Sequence, residues 1–190
     1  MEFSALSNLQ IFIIIVVVLS LIIFLLVSNR SKNIPTDAEA FNNALKALVN
    51  GEKDKAYHLL REIISKDSNN IDAFLLLGDL VREKDVNQAI KIHQTVILRP
   101  QISKSKKIEA HTALSKDFIK NGNISRAEEE LNNILNMDSS NKWALLKLKD
   151  IATENKNWKQ ALKHEKKLMK VDIHHKKNDE SMLNYYIAMD

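Results

Sequence analysis

The sequence is short of the residues that build disulfide-rich, metal-ribbon or β-sheet proteins. Its 190 residues include no cysteine, which excludes disulfides, cysteine-bound zinc and thiol catalysis. With only 3 glycines and 2 prolines, turn residues are too few for an antiparallel sheet protein, so we predict an all-α fold. Aromatic residues make up 6% and are scattered, and the net charge of +4 comes from interleaved bases and acids. We therefore expect no nucleic-acid partner.

Catalytic and metal-binding motifs are missing as well. The sequence contains no glycine-rich phosphate loop, no Gly-x-Ser-x-Gly and no His-Glu-x-x-His. His174 and His175, near Asp172 and Asp179, could be drawn as a metal site, but adjacent histidines do not point to one centre. A solvated polar turn is the better interpretation. The other histidines are expected on helix surfaces or in packing: His58, His93, His111 and His164. We predict no enzyme activity, no metal and no cofactor.

An apolar run near the N-terminus, from Ile11 to Val27, contains one serine and no charge. Crossing a bilayer as a helix takes roughly 20 apolar residues, and in lipid the backbone must satisfy its own hydrogen bonds. We predict a transmembrane anchor within residues 1–29, followed by a linker over residues 30–36 that contains Pro35. The alternative is a buried core helix or strand.

The residues flanking this run predict its orientation. Residues 1–10 contain no Lys or Arg, and no small-residue cleavage pattern follows the run, so we expect an uncleaved anchor. Arg30 and Lys32 come directly after it. Because positive charges favour the cytoplasmic side of a membrane, the C-terminal part is predicted to be cytoplasmic.

Beyond residue 36, pairs of short amphipathic helices recur. Second helices are marked by alanines at spacings of 33, 38 and 34 residues: Ala56, Ala89, Ala127 and Ala161. Apolar residues at i, i+3, i+4 and i+7 around them predict helices with one buried face. A two-helix repeat of this length resembles the tetratricopeptide repeat. We predict a helical-hairpin solenoid over residues 37–190, with repeats at about 37–70, 71–104, 108–141 and 142–175 and a partial repeat at 176–190.

Small residues are expected where the two helices of a hairpin cross, since they let the backbones approach closely. Ala44, Gly78 and Ser115 take this position in first helices, and the four alanines above take it in second helices. The pattern has two departures. The fourth first helix has Lys149 instead of a small residue, and the second repeat has Asp85 instead of a glycine at its turn.

The tryptophans and the C-terminal residues complete the repeat assignment. Trp158, three residues before Ala161, is expected in the core, whereas Trp143 could belong either to the core or to a groove. Near the end of the chain, Ser181 is predicted to cap a short apolar helix.

First helices of such hairpins line a concave surface, so their outward positions form a candidate partner groove. These positions are Phe41, Leu45, Leu48, Asp72, Leu75, Asp79, Arg82, Glu109, Thr112, Lys116 and Ile119. Their mixture of apolar and charged side chains could hold an extended segment or a helix of a protein partner. The alternative is ordinary solvated surface.

Two stretches of the second repeat, Ala73–Arg82 and Gln88–Thr95, resemble the bacterial lipopolysaccharide assembly protein B family, LapB or YciM. Leu114–Phe118 and Trp158–Leu162 are similar to the next two repeats of that family. His93 and Gln94, which lie within the second of these stretches, are its most specific part. The family also carries a rubredoxin-like metal ribbon with two Cys-x-x-Cys pairs, which has no counterpart in this cysteine-free sequence.

The resemblance implies an adaptor rather than a catalyst. Members of the family act with the membrane protease FtsH to control the level of LpxC, the deacetylase that commits precursors to lipid A. A single-pass protein of the bacterial inner membrane, with its repeats on the cytoplasmic side, is what the resemblance implies here. The alternative is a general membrane-anchored scaffold for envelope or cytochrome c assembly, with the repeats on the opposite side.

Overall fold

The computed structural model of the protein describes residues 14–24, 37–171 and 180–189, and all regular structure within these ranges is helical. Contacts divide the chain into two compact units, Met1–Ala40 and Phe41–Asp190.

In the first unit, helix α1 covers residues 14–24. Its apolar side chains are exposed, and the Ser20 hydroxyl donates a hydrogen bond of 2.8 Å to the carbonyl of Val17. The predicted span from Ile11 to Val27 continues past both ends of α1, and its outer residues, like the predicted linker, lie outside the described residues. None of the helices in the described ranges combines the length and the apolar character that crossing a membrane requires.

The other helices follow one another with short connections. They are α2 Asp37–Val49, α3 Lys53–Lys66, α4 Ile71–Val81, α5 Val86–Ile97, α6 Lys104–Lys120, α7 Ile124–Met137, α8 Lys142–Glu154, α9 Trp158–Val171 and α10 Glu180–Met189. From α3 to α9, each helix contacts the next, and α9 contacts α10. Helix α4 also contacts α6, so the first helices of the second and third hairpins lie side by side. The predicted all-helical repeat solenoid is confirmed.

The small residues at the helix crossings are fully enclosed. Ala44 in α2 has no exposed surface, and the same is true of all four repeat alanines, Ala56, Ala89, Ala127 and Ala161. Leu60, Leu131 and Ile134 are fully or almost fully buried one helical turn or more beyond these alanines. Interiors are close-packed, so a larger side chain at a crossing would push the two helices apart.

The turns between the two helices of a hairpin reverse the chain direction with different residues. Gly51 and Gly122 adopt left-handed φ angles of 76° and 74° after α2 and α6, a conformation that glycine takes without steric cost. The fourth hairpin lacks a glycine there, and Lys156 takes the left-handed conformation instead, at φ 56°. In the second hairpin, the side chain of Asp85 accepts a hydrogen bond from the Gln88 backbone and so caps α5.

The buried lysine at the fourth crossing is accommodated by a carboxylate. Lys149 is only 8% exposed, and its Nζ lies 3.2 Å from Oε2 of the fully buried Glu165 in α9. The ion pair therefore joins the two helices at the position where the other hairpins use a small residue. A buried charge needs such a partner, because an unpaired one costs several kcal/mol.

The last described helix corrects one expectation from the sequence. Helix α10 begins at Glu180, so Ser181 lies inside its first turn and does not cap it. Tyr186 is 1% exposed and stacks on Trp158, with 6.2 Å between ring centroids. The two rings pack together with Ala161, so Trp158 contributes to the core as predicted.

His164 is a buried histidine in α9, and no carboxylate among the described residues pairs with it. It is 7% exposed, and its Nδ1 has no hydrogen-bond partner among the described residues. Burial, together with the positive charges of Lys167 and Lys163, lowers the pKa of His164 from 6.5 to about 4. The folded protein therefore holds this ring neutral at pH values where an unfolded chain would protonate it.

This lowered pKa makes stability depend on pH. As pH falls from 6.5 towards 4, the unfolded chain binds a proton at His164 that the folded chain does not, so unfolding becomes easier. Between about pH 7 and about pH 4.5, we expect the unfolding free energy of His164→Gln to fall by about 2–3 kcal/mol less than that of the wild type. Urea titrations at about pH 7 and about pH 4.5 measure it. The control is Gln160→Asn, an exposed substitution in the same helix that removes no titratable group and should leave the pH dependence unchanged. Equal pH dependence in the wild type and His164→Gln would contradict this assignment.

Candidate functional site

A glycine in α4 creates room for a histidine ring from α5. A Cβ added to Gly78 would lie 2.7 Å from Cδ2 of His93 and closer still to its Nε2. Real Cβ atoms essentially never come so close to another atom. Glycine is thus required at residue 78 by the ring that packs against it.

The His93 ring is fully buried and hydrogen-bonded at both nitrogens. Nδ1 lies 2.6 Å from Oδ2 of Asp117, in the first helix of the next hairpin, and Nε2 lies 3.2 Å from the Leu75 carbonyl. Both partners are acceptors, so both contacts are hydrogen bonds when each ring nitrogen carries a proton. One imidazole therefore connects α4, α5 and α6.

Arg82, at the C-terminal end of α4, completes this buried cluster. Its Nε donates to the other oxygen of Asp117, and its Nη2 donates to Asp79 and, at 3.3 Å, to the carbonyl of Ala113. Burial by itself would lower the pKa of Arg82, but the hydrogen bonds and negative charges of Asp117 and Asp79 outweigh it and raise that pKa. We call His93, Asp117, Arg82 and Asp79 the polar cluster.

The polar cluster holds Arg82 at the edge of a groove between α6, α8 and α10. The groove has a volume of about 640 Å³, and Lys116, Trp143, Lys147 and Tyr186 contribute to its walls. The hydroxyl of Tyr186 lies 3.0 Å from that of Thr153, which ties α10 to α8 at the floor of the groove.

The groove carries more positive than negative side chains. Five cations line it against two acids, and most of these cations have partners: Lys120 pairs with Glu83 at 2.8 Å and Lys147 with Asp150 at 3.2 Å. Lys116 is different, because its ammonium lies 5.5 Å from the centre of the Trp143 ring and has no carboxylate partner within the described residues. An aromatic face beside an unneutralised ammonium suits a partner segment with both an apolar and an acidic side chain.

The structure places the predicted groove residues in several environments. Arg82, Lys116 and Ile119 line the groove. Asp79 belongs to the polar cluster, whereas Leu75 is 9% exposed and lies in the core with Val96. Leu75 is thus not available as a groove residue, because its side chain fills the space between the second and third hairpins.

The remaining predicted groove residues lie at other points of the surface. The ammonium of Lys106 pairs with Asp72 at 2.6 Å and with Glu109 at 2.7 Å. Lys106 thereby bridges α4 and α6. Leu45 is exposed at a separate shallow depression on α2. The residues that are half-buried are Phe41, Leu48 and Thr112.

The sequence alone does not predict several of the groove residues, nor that the four residues of the polar cluster contact one another. Trp143 serves both roles left open for it, since it lines the groove and also packs on the core around Leu148 and Ile151. Lys147 and Tyr186 were not predicted, although Lys147 lies four residues after Trp143 and so shares its helix face. The available signal for the cluster was a polar residue, His93, within the apolar stripe of α5.

The fold defines the class of protein: a tetratricopeptide-repeat-like helical solenoid. A tetratricopeptide repeat protein from Parabacteroides merdae superposes with a TM-score of 0.65 at 15% identity, covering 80% of this chain and 58% of that one. The crystal structure of MamA protein superposes with a TM-score of 0.62 at 15% identity, covering 80% and 87% of the two chains. At this identity the similarity shows the fold alone.

The chain belongs to the family described as domain of unknown function DUF7017, which matches residues 39–178. It is also similar to lipopolysaccharide assembly protein B of Escherichia coli strain K12, with 28% identity over 125 residues, 65% of this chain and 32% of that protein. The resemblance to the LapB family noted in the sequence is thereby confirmed. The chain spans about one third of the length of the curated relatives that it matches.

The close approach of Gly78 and His93 gives a direct test of the polar cluster. Alanine usually stabilises a helix relative to glycine by about 0.5–1 kcal/mol, but here its methyl group would collide with the His93 ring. We expect Gly78→Ala to lower the unfolding free energy by about 2–4 kcal/mol in denaturant titrations followed by circular dichroism.

The matched control is the same substitution in a His93→Ala background, where the ring is gone. There Gly78→Ala should be neutral or mildly stabilising, by up to about 1 kcal/mol. An equal cost in both backgrounds would show that the ring is not the reason for glycine at this position.

Proposed function

We propose that this protein is a membrane-anchored tetratricopeptide-repeat adaptor that regulates lipopolysaccharide synthesis by holding a protein partner in the groove between α6, α8 and α10. The observation that carries the binding role is the groove itself, in which Trp143 and the unneutralised Lys116 lie side by side. The similarity to lipopolysaccharide assembly protein B supports the cellular process.

The partner chemistry follows from the walls of the groove. Trp143 and Ile119 offer apolar surface, Lys116 offers an ammonium, and the polar cluster fixes Arg82 at the edge. A rigid, pre-positioned wall loses little conformational entropy on binding. Through the LapB family resemblance, the proposed partners are LpxC and the protease FtsH, with this chain acting as the adaptor and not as the catalyst.

Attachment to the membrane is part of the proposal. The apolar run from Ile11 to Val27 and the following Arg30 and Lys32 support a single-pass anchor in the bacterial inner membrane, with the repeats on the cytoplasmic side. An anchor confines the groove to the surface where a membrane protease works, which raises the effective concentration of such a partner.

A charge-reversal experiment tests the groove. Tagged full-length protein should recover LpxC or FtsH from membranes, and Lys116→Glu with Lys147→Glu should reduce that recovery about tenfold or more, because both substitutions place negative charge on the groove wall. Quantitative immunoblots of the eluates measure the loss, and blots of whole cells measure the LpxC level.

The control variant carries the same change in charge outside the groove. Lys55→Glu with Lys66→Glu, both on exposed positions of α3, should leave recovery unchanged. If neither LpxC nor FtsH is enriched by the unaltered protein, and the LpxC level is the same after deletion, the assignment to lipopolysaccharide regulation is wrong.

A further inference from the structure

Helix α9 carries a row of lysines on its outer surface. Lys159, Lys163, Lys166, Lys167 and Lys170 are all exposed. At 100° per residue, these positions fall within an arc of about 100° and extend roughly 16 Å along the helix. We call these five residues the lysine stripe.

No ion pair among the described residues neutralises the lysine stripe, although the carboxylate of Glu128 lines the cavity beside Lys163. Within the described residues, none of the five forms an ion pair, whereas exposed lysines elsewhere commonly do, for example Lys84 with Asp54 at 2.9 Å. The one acidic residue of α9 is Glu165, which is buried and lies 3.2 Å from Lys149. Helix α9 thus presents a face of a single charge sign.

The positive charge of the stripe also acts on the neighbouring His164, whose pKa is lowered first by burial and then by two of the lysines. Burial, Lys167 and Lys163 together lower the pKa of His164 to about 4. Like charges kept this close together at a surface destabilise each other. Such an arrangement is relieved when a negatively charged partner covers it.

We propose that the lysine stripe docks the repeat domain on an anionic lipid surface. Lysine ammonium groups attract anionic headgroups without a fixed geometry, and the stripe contains no arginine that would form bidentate contacts with a defined ligand. The one aromatic residue of α9, Trp158, packs against Tyr186 and Tyr185, so α9 itself offers no free ring for stacking on nucleic-acid bases.

The choice of a lipid surface over an acidic protein segment rests on the membrane attachment proposed above. A chain anchored by the apolar run from Ile11 to Val27 would confine the repeat domain to the membrane, which raises the effective concentration of headgroups available to the stripe. The neighbourhood of the stripe also lacks an apolar slot for a peptide: the cavity beside Lys163 is lined mainly by polar groups, including Asn132, Asn157 and Gln160. The lysine stripe and the partner groove are distinct surfaces that share no residue.

The absence of cysteine in the sequence allows a clean experiment with the full chain. Gln160→Cys places a single thiol beside the stripe at an exposed position for a fluorescent label. The labelled chain is reconstituted into nanodiscs of phosphatidylcholine alone, or with about 30% phosphatidylglycerol, each containing a lipid-borne quencher. Quenching reports the distance between α9 and the headgroups.

Quenching should be at least about twofold stronger in the anionic nanodiscs and should be lost when salt rises from about 0.1 M to about 1 M, where the screening length shortens from about 10 Å to about 3 Å. Each lysine near such a surface strengthens association about fivefold, so replacing all five with Gln should abolish the difference between lipids. The control exchanges the same number of exposed lysines elsewhere and should retain it: Lys46, Lys55, Lys66, Lys84 and Lys91.

The outcomes separate this inference from the proposed function. Failure of the chain to co-purify with nanodiscs would refute the anchor, and the lipid inference would then fall with it unless the labelled chain still bound anionic vesicles in a stripe-dependent way. A chain that inserts but shows equal quenching in both lipids would overturn the lysine stripe as a lipid contact. It would leave the anchor and the groove standing, and would favour an acidic polypeptide as the partner of α9.

Discussion

A single buried carboxylate, that of Asp117, connects the second and third hairpins. One of its oxygens accepts from His93 of α5 and the other accepts from Arg82 of α4, so three helices share one anionic group that has no exposed surface. A buried charge without partners would be strongly destabilising, and here two donors satisfy it. The arrangement requires glycine at residue 78, because any other side chain would occupy the space of the His93 ring.

This interaction has consequences at the surface. Arg82 is the member of the polar cluster that also borders the groove, and its contacts with Asp79, Asp117 and Ala113 leave it little freedom to reorient. Of the cations that line the groove, Lys116, beside Trp143, is the one without a carboxylate partner in the described part of the chain. Within the described residues, the groove thus combines a fixed wall with one ammonium that has no carboxylate partner.

Much of the fold could be predicted from residue spacing, because the buried face of each helix in a hairpin repeat consists of small and apolar residues at regular intervals. The spacing of the four repeat alanines predicts the hairpins from the sequence alone. Spacing could not show which polar residues are buried, because burial of His93, Asp117 or Lys149 depends on partners supplied by other helices. For the same reason the sequence predicts Asp79 and Leu75 as groove residues. In the structure Asp79 instead accepts a hydrogen bond from Arg82, and Leu75 lies in the core.

The polar cluster, together with the apolar cluster around Leu75 and Val96, joins the second hairpin to the third and holds Arg82 at the groove. Its central contact is the one between His93 and Asp117. A double-mutant cycle on His93→Gln and Asp117→Asn measures this contact most directly, with the exposed pair Lys55 and Glu52 as reference. The account predicts a coupling energy of about 2 kcal/mol or more for His93 and Asp117, against about 0.5 kcal/mol or less for the exposed pair. Additivity of the two buried substitutions within about 0.5 kcal/mol would contradict it.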